Sequence, residues 1–169
     1  MDTIDGVRTS PNLRIAVVVS KYNDFVTDRL QVGALAALAA AGVRDDAVTL
    51  VRVPGAFELP SAARLAADTG RYDAVVCLGC LIRGATPHFE YIAAAVAHGL
   101  TAAAGETGVP ITFGVLTTNS VEEAVERAGG GSDNKGWEAA TAAIEMAAVA
   151  AQLAGLRRQP LRGSGDSVG

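Results

Sequence analysis

Four short, almost unbroken apolar runs constrain this chain more than anything else in it: Arg14–Ser20 (RIAVVVS), Val48–Val53 (VTLVRV), Ala74–Ile82 (AVVCLGCLI) and Ile111–Thr117 (ITFGVLT). Each has the length of a strand and is rich in β-branched residues. None alternates apolar with polar, as a strand with one wet face would, so all four are expected in a parallel sheet covered on both faces. Parallel neighbours need long crossovers, and helix-length stretches fill every gap. Asp24–Ala41 carries Phe25, Leu30, Leu35 and Leu38 and ends at Gly42, a residue suited to a left-handed cap. Phe57–Ala67 precedes Gly70, and Pro87–Gly105 precedes Gly108-Val109-Pro110. Ser120-Val121-Glu122-Glu123 has the spacing of a capping box. It opens a short helix to about Ala128. Gly129-Gly130-Gly131 interrupts the chain, and a long helix is predicted from about Asn134 to Leu153. Right-handed crossovers then give an α/β fold, a three-layer sandwich with a four-stranded parallel sheet and helices on both faces.

The 169 residues suit one domain. We divide them into an N-terminal arm (1–13), the α/β domain (14–155) and a C-terminal tail (156–169). The tail sequence Arg157–Gly169 (RRQPLRGSGDSVG) lacks a core pattern and is expected to be mobile. Half of the residues are hydrophobic but only 5% are aromatic, so alanine supplies much of the apolar surface. Small side chains bury little area each, which favours further burial between subunits. The formal charge is −4, a deficit of the cations that a nucleic-acid binder needs. No apolar run is judged long enough to span a bilayer, and the polar first residues do not resemble a signal peptide. A cytoplasmic protein without membrane or nucleic-acid partners is therefore expected. Cys77 and Cys80 form a C-x-x-C, but residues three apart on a strand point to opposite faces. They read as core residues, and no metal site is expected.

In an open α/β sheet, ligands bind beyond the carboxyl ends of the strands, and the unusual residues of this chain cluster there. The first strand is followed by Lys21-Tyr22-Asn23, the second by Pro54-Gly55-Ala56-Phe57-Glu58, and the third by Arg83-Gly84-Ala85-Thr86-Pro87-His88. Thr86 suits an N-cap and Pro87 the first helical position, so a helix is expected to begin there with its free amides outward. Gly84 lets an anion approach, and the helix end carries about half a positive charge. A phosphate or carboxylate is the expected ligand. His88 is placed beside it, and imidazole is the side chain suited to proton transfer near neutrality. Several residues have two readings on local grounds. His88 is a proton carrier or a surface histidine. Arg127 is a phosphate donor or a solvated cation at a helix end. Tyr22 stacks on a flat ring or plugs the sheet, and Glu58 serves a ligand or only the helix dipole. Gly129–Gly131 lacks the spacing of a phosphate-binding P-loop.

Six blocks, in order and at fixed spacing, carry a resemblance: Tyr22-Asn23-Asp24-Phe25, Val53–Pro60 (VPGAFELP), Gly79–Tyr91 (GCLIRGATPHFEY), Phe113-Gly114-Val115, Glu126–Gly129 (ERAG) and Asn134–Ala140 (NKGWEAA). From about Arg14 to Ala154 the chain resembles the lumazine synthase family. The resemblance implies a flavodoxin-like fold. It also implies a cofactor-free condensation of 5-amino-6-(D-ribitylamino)uracil with 3,4-dihydroxy-2-butanone 4-phosphate. By the same resemblance Tyr22 stacks on the pyrimidine. Ala56, Phe57 and Glu58 hold the ring and ribityl chain, Cys80, Leu81 and Ile82 line the pocket, and Gly84, Ala85 and Thr86 surround the phosphate. His88 moves the proton, while Phe113 and Arg127 are lent by a neighbouring subunit. A homo-oligomer is implied, with pentamer, decamer and a shell of sixty subunits all open, with sites between subunits and a functional link to riboflavin synthase. The arm 1–13 is expected to add an edge strand to a neighbour. Three departures stand out: tyrosine at 22 where the family more often has Phe or Trp, Cys80 where Thr is common, and Gly130-Gly131-Ser132-Asp133 in place of a Thr-Lys-containing loop. A flavin-binding module on the same sheet would need Tyr22 and the anion turn but not His88, and a structural cage would need neither.

Overall fold

A computed structural model describes residues 1–157. In chain order these form β1 (Ile15–Ser20), α1 (Asp24–Ala40), β2 (Val48–Val53), α2 (Leu59–Asp68), β3 (Ala74–Ile82), α3 (His88–Thr107), β4 (Ile111–Thr118), α4 (Val121–Arg127) and α5 (Lys135–Arg157). The four strands are parallel, in the order β2-β1-β3-β4, and helices cover both faces. The expected α/β sandwich is present. α5 continues through Leu156 and Arg157, which the sequence reading places in the tail; the rest of that tail lies outside the described residues.

Each strand feeds two cores, because successive side chains leave opposite faces. Val17, Val19, Val76, Leu78 and Cys80 meet α1, α4 and α5 on one side. Ala16, Val18, Val75 and Cys77 meet α2 and α3 on the other. The two cysteines therefore belong to different cores. Burial pushes the Cys80 thiol up to about 11 and raises the Cys77 thiol further still.

The expectation that all four strands are covered on both faces holds only for the central pair. β1 is fully buried, as are the first seven residues of β3. β2 is an edge strand, with Thr49, Leu50 and Arg52 exposed and Arg52 paired to Asp28 at 3.1 Å. β4 is the other edge, with Phe113 47% exposed. Val and Leu satisfy a buried strand and an edge equally well by composition, so hydrophobicity alone does not rank the strands.

α1 ends in a full Schellman arrangement: Gly42 adopts φ 84°, its amide donates to Ala39, and the Val43 amide donates to Leu38. α5 starts at a buried Asn134. The Asn134 side-chain oxygen accepts from the amides of Gly136 (2.7 Å) and Trp137 (3.2 Å). Its amide nitrogen donates to the carbonyls of Arg29, Ala128 and Gly129. One side chain thus caps α5 and ties it to α1 and to the end of α4. A Cβ at Gly136 would lie 2.0 Å from the Leu30 carbonyl oxygen, so only glycine permits this approach.

Residues 1–13 form no helix or strand here. They run along α5, with Arg8 paired to Glu145 at 2.6 Å and Gln152 donating to the Asp5 carbonyl. One sequence expectation needs correction. By length and composition, the helical stretch Lys135–Leu156 is apolar enough to cross a membrane, its most apolar 18 residues reaching a mean hydropathy of 1.5. In the fold, Ala140, Ala143, Ile144 and Ala147 of this helix are buried on the sheet and α1.

Candidate active site

The carboxyl ends of the strands are stitched together by backbone and side-chain hydrogen bonds. The Lys21 and Tyr22 amides donate to the carbonyls of Val53 and Pro54, joining the loops after β1 and β2. The Arg83 amide donates to Thr118, extending the β3–β4 ladder by one residue. Asn23 links β1 to β3: its Nδ2 donates to the Cys80 carbonyl at 2.9 Å. Asn23 is also the one non-glycine among the described residues with positive φ (60°), a left-handed conformation that asparagine tolerates better than most. The turn presents Tyr22 outward, 72% exposed.

These loops enclose a cavity of about 470 Å³, large enough for a small heterocycle with a polyol chain. Its border includes Tyr22, Ala56, Phe57, Glu58, Cys80, Leu81, Ile82, Gly84, Thr86 and His88. Ten of the thirteen residues singled out from sequence therefore meet at one place. Ala85 lies in the same turn but does not border the cavity. Glu58 uses one carboxylate oxygen to accept from the Gly55 amide at 3.0 Å, fixing the Ala56–Glu58 turn that precedes α2. The predicted helix 57–67 accordingly splits into this turn and α2. Asn23, Gly55, Phe89 and Ile92 also border the cavity and were not singled out. Phe89 and Ile92 lie on the face of α3 that turns towards the cavity, a placement that emerges only once the register of α3 is known.

The predicted start of α3 shifts by one residue. Pro87, not Thr86, is the N-cap, no side chain caps the helix, and His88 is the first helical residue. Proline lacks an N–H and so leaves no donor stranded at that position. Its carbonyl accepts from the Glu90 and Tyr91 amides at 3.1 and 3.4 Å. Among the described residues no hydrogen bond occupies the amides of Gly84, Ala85, Thr86, His88 or Phe89. All of the segment Arg83–His88 is exposed. Open amides in a turn that opens a 20-residue helix form a surface suited to an anion.

Phe113 and Arg127 lie apart from this cavity. They border a groove on the β4 edge, together with Lys135, Glu138 and Ala139 from α5. The expected capping of α4 is present, with the Ser120 hydroxyl accepting from the Glu123 amide at 3.2 Å, but the Glu123 carboxylate reaches back to Asn119 rather than Ser120. α4 then delivers Arg127 at its carboxyl end. Among the described residues no group of three or more His, Cys, Asp or Glu side chains is placed to hold a metal ion.

Comparison with known proteins agrees with this layout. The family model described as 6,7-dimethyl-8-ribityllumazine synthase matches residues 12–151. A 6,7-dimethyl-8-ribityllumazine synthase from Syntrophus aciditrophicus (strain SB) is 49% identical over 149 residues, covering 88% of this chain and 97% of that protein. One from Yersinia pestis (strain Pestoides F) is 49% identical over 156 residues, covering 92% of this chain and 100% of that protein. The match spans both edges of the sheet and every loop that borders the cavity, and on that ground the chain belongs to the 6,7-dimethyl-8-ribityllumazine synthase family.

Proposed function

We propose that this chain condenses 5-amino-6-(D-ribitylamino)uracil with 3,4-dihydroxy-2-butanone 4-phosphate to give 6,7-dimethyl-8-ribityllumazine, inorganic phosphate and water. The observation that carries the residue-level reading is the convergence of Tyr22, Phe57, Thr86 and His88 on one cavity. Tyr22 and Phe57 offer aromatic surface to a flat pyrimidine. The turn 84–86 and the first amides of α3 receive the phosphate.

The chemistry then needs few groups. The amine attacks the ketone to give an imine and water. Loss of a proton next to the imine lets the phosphate depart, leaving an enol. Tautomerisation restores a carbonyl, and the second amine closes the ring as a second water leaves. Electrons balance without an oxidant. Holding the two substrates in register can lower the barrier by several kcal/mol. His88, beside the phosphate turn, carries the proton.

Phe113 and Arg127 are proposed to complete the cavity of a neighbouring copy. Their exposure on a sheet edge supports this, as does their separation from the cavity of their own chain. The assembly is proposed to be a pentamer, or a shell built from pentamers, with the arm 1–13 reaching a neighbour. Five copies of 17.2 kDa give about 90 kDa and sixty about 1 MDa, which light scattering separates. The product is proposed to pass to riboflavin synthase. Mixing the purified protein with both substrates and following lumazine fluorescence tests the activity. Pyrimidine binding without product would leave only a flavin-type binding module. Assembly without binding would leave only a cage.

A further inference from the structure

The turn proposed to hold the phosphate has little of its own to hold it in shape. Gly84 has no neighbour within 4 Å of a built Cβ, and residues 83–88 are exposed. Arg83 stands at one end of this turn, and its side chain returns to the other. The Nε donates to Asn119 Oδ1 at 2.9 Å, an Nη1 donates to the Glu90 carboxylate, and the guanidinium sits 4.6 Å from the centre of the Phe89 ring. The Arg83 amide is anchored on Thr118. Asn119 is itself held, its amide donating to Glu123 at 2.9 Å. One planar side chain therefore spans the end of β4 and the first turn of α3, and closes the turn that joins β3 to α3. The Arg83 hydrogen bond holds the Glu90 carboxyl below its ordinary range, so the contact persists at neutral pH.

We infer that Arg83 is a positioning residue that fixes the phosphate turn by clasping Asn119, Glu90 and Phe89, without itself binding the phosphate. Its Nε and one Nη1 donor are engaged with protein partners, in the fork geometry that only arginine supplies, and Arg83 does not border the cavity. The inference rests on the reading of residues 84–88 as the phosphate site, and the test keeps the two apart. Wild-type protein that makes lumazine and is competitively inhibited by inorganic phosphate upholds that reading whatever Arg83 does.

The test measures KM for each substrate and the inhibition constant for inorganic phosphate in Arg83→Ala, Arg83→Lys and Glu90→Gln, with circular dichroism confirming the fold. In Arg83→Ala the KM for the phosphorylated ketone and the phosphate inhibition constant should both rise about tenfold, since a misplaced site loses affinity without losing its groups. The KM for the pyrimidine should stay within about twofold. Arg83→Lys, unable to span both partners, should fall between. Glu90→Gln decides between positioning and direct binding. If Arg83 only positions, loosening the clasp weakens phosphate binding in the same direction. If Arg83 binds phosphate directly, freeing its guanidinium tightens binding or leaves it unchanged, and the inference is overturned. Equal effects on both substrates in Arg83→Ala would overturn it as well.

Discussion

The two ends of the candidate site are built in opposite ways. The cavity half sits where loops from three strands are laced together: Tyr22 to Pro54, Asn23 to Cys80 and Arg83 to Thr118. Its side chains converge on a concavity. The β4 half holds Phe113 and Arg127 on an open edge, where little of the same chain faces them. A catalytic residue usually has its surroundings supplied by its own fold, and an exposed aromatic beside an arginine on a sheet edge has no such surroundings. The contrast is the one the proposed assembly requires, with a single chain carrying a receiver and a donor and a second copy completing each.

The sharpest way to break that contrast is to disable the halves separately. His88→Ala in the cavity half should lower kcat by about 10²–10⁴-fold with the fold intact by circular dichroism. An unchanged rate removes His88 from the proton path. Arg127→Ala in the donor half removes the charged hydrogen bond proposed to reach the phosphate and should raise the KM for the phosphorylated ketone roughly 10–100-fold. Unfolding the two variants together and refolding them as a mixture should restore about a quarter of the sites, because some neighbouring pairs combine both intact halves. No recovery would mean that both residues serve one chain. Next in size, Tyr22→Ala should weaken pyrimidine binding about 2–10-fold, read by fluorescence titration, as a lost aromatic pair implies.

The smallest expected effect is on stability and concerns the floor of the cavity. Cys80 has an ordinary value of 9.0 that burial raises to about 11 in the folded chain. The stability this neutral thiol contributes is complete below pH 9 and fades as pH rises through 11. By pH 10 the loss should be about 1 kcal/mol in urea unfolding, and Cys80→Ala should flatten that slope. An unaltered slope would show that the thiol is not shielded as its burial implies.

Much of this was legible in the residues. Strand positions follow from unbroken apolar runs, and β3 begins and ends where its run does. Helix ends follow from local chemistry, as at Gly42 and Ser120. The order of the strands was not legible, because parallel pairing joins residues far apart in sequence and an apolar edge resembles an apolar centre. That is why β2 was expected to be covered on both faces. The site residues that carry distinctive chemistry, His88 and the 84–86 turn, were visible. Asn23 and Asn134 were not, since an asparagine's worth lies in which distant carbonyls it meets: Cys80 for one, Arg29 and Ala128 for the other. Pro87 rather than Thr86 is the cap, a one-residue shift that local chemistry does not decide, since a missing N–H is equally tolerated at the cap and at the first helical position.

The division of the two cysteines between separate cores makes the protein convenient to label. Both thiols are buried and hold their protons at neutral pH, so maleimides, which react with exposed thiolates, should pass them by. A single cysteine introduced at an exposed helical position such as Leu65 (Leu65→Cys) would then be the lone reactive site on the native background. A dye placed there could report on subunit exchange without first stripping the natural sulfurs from the chain.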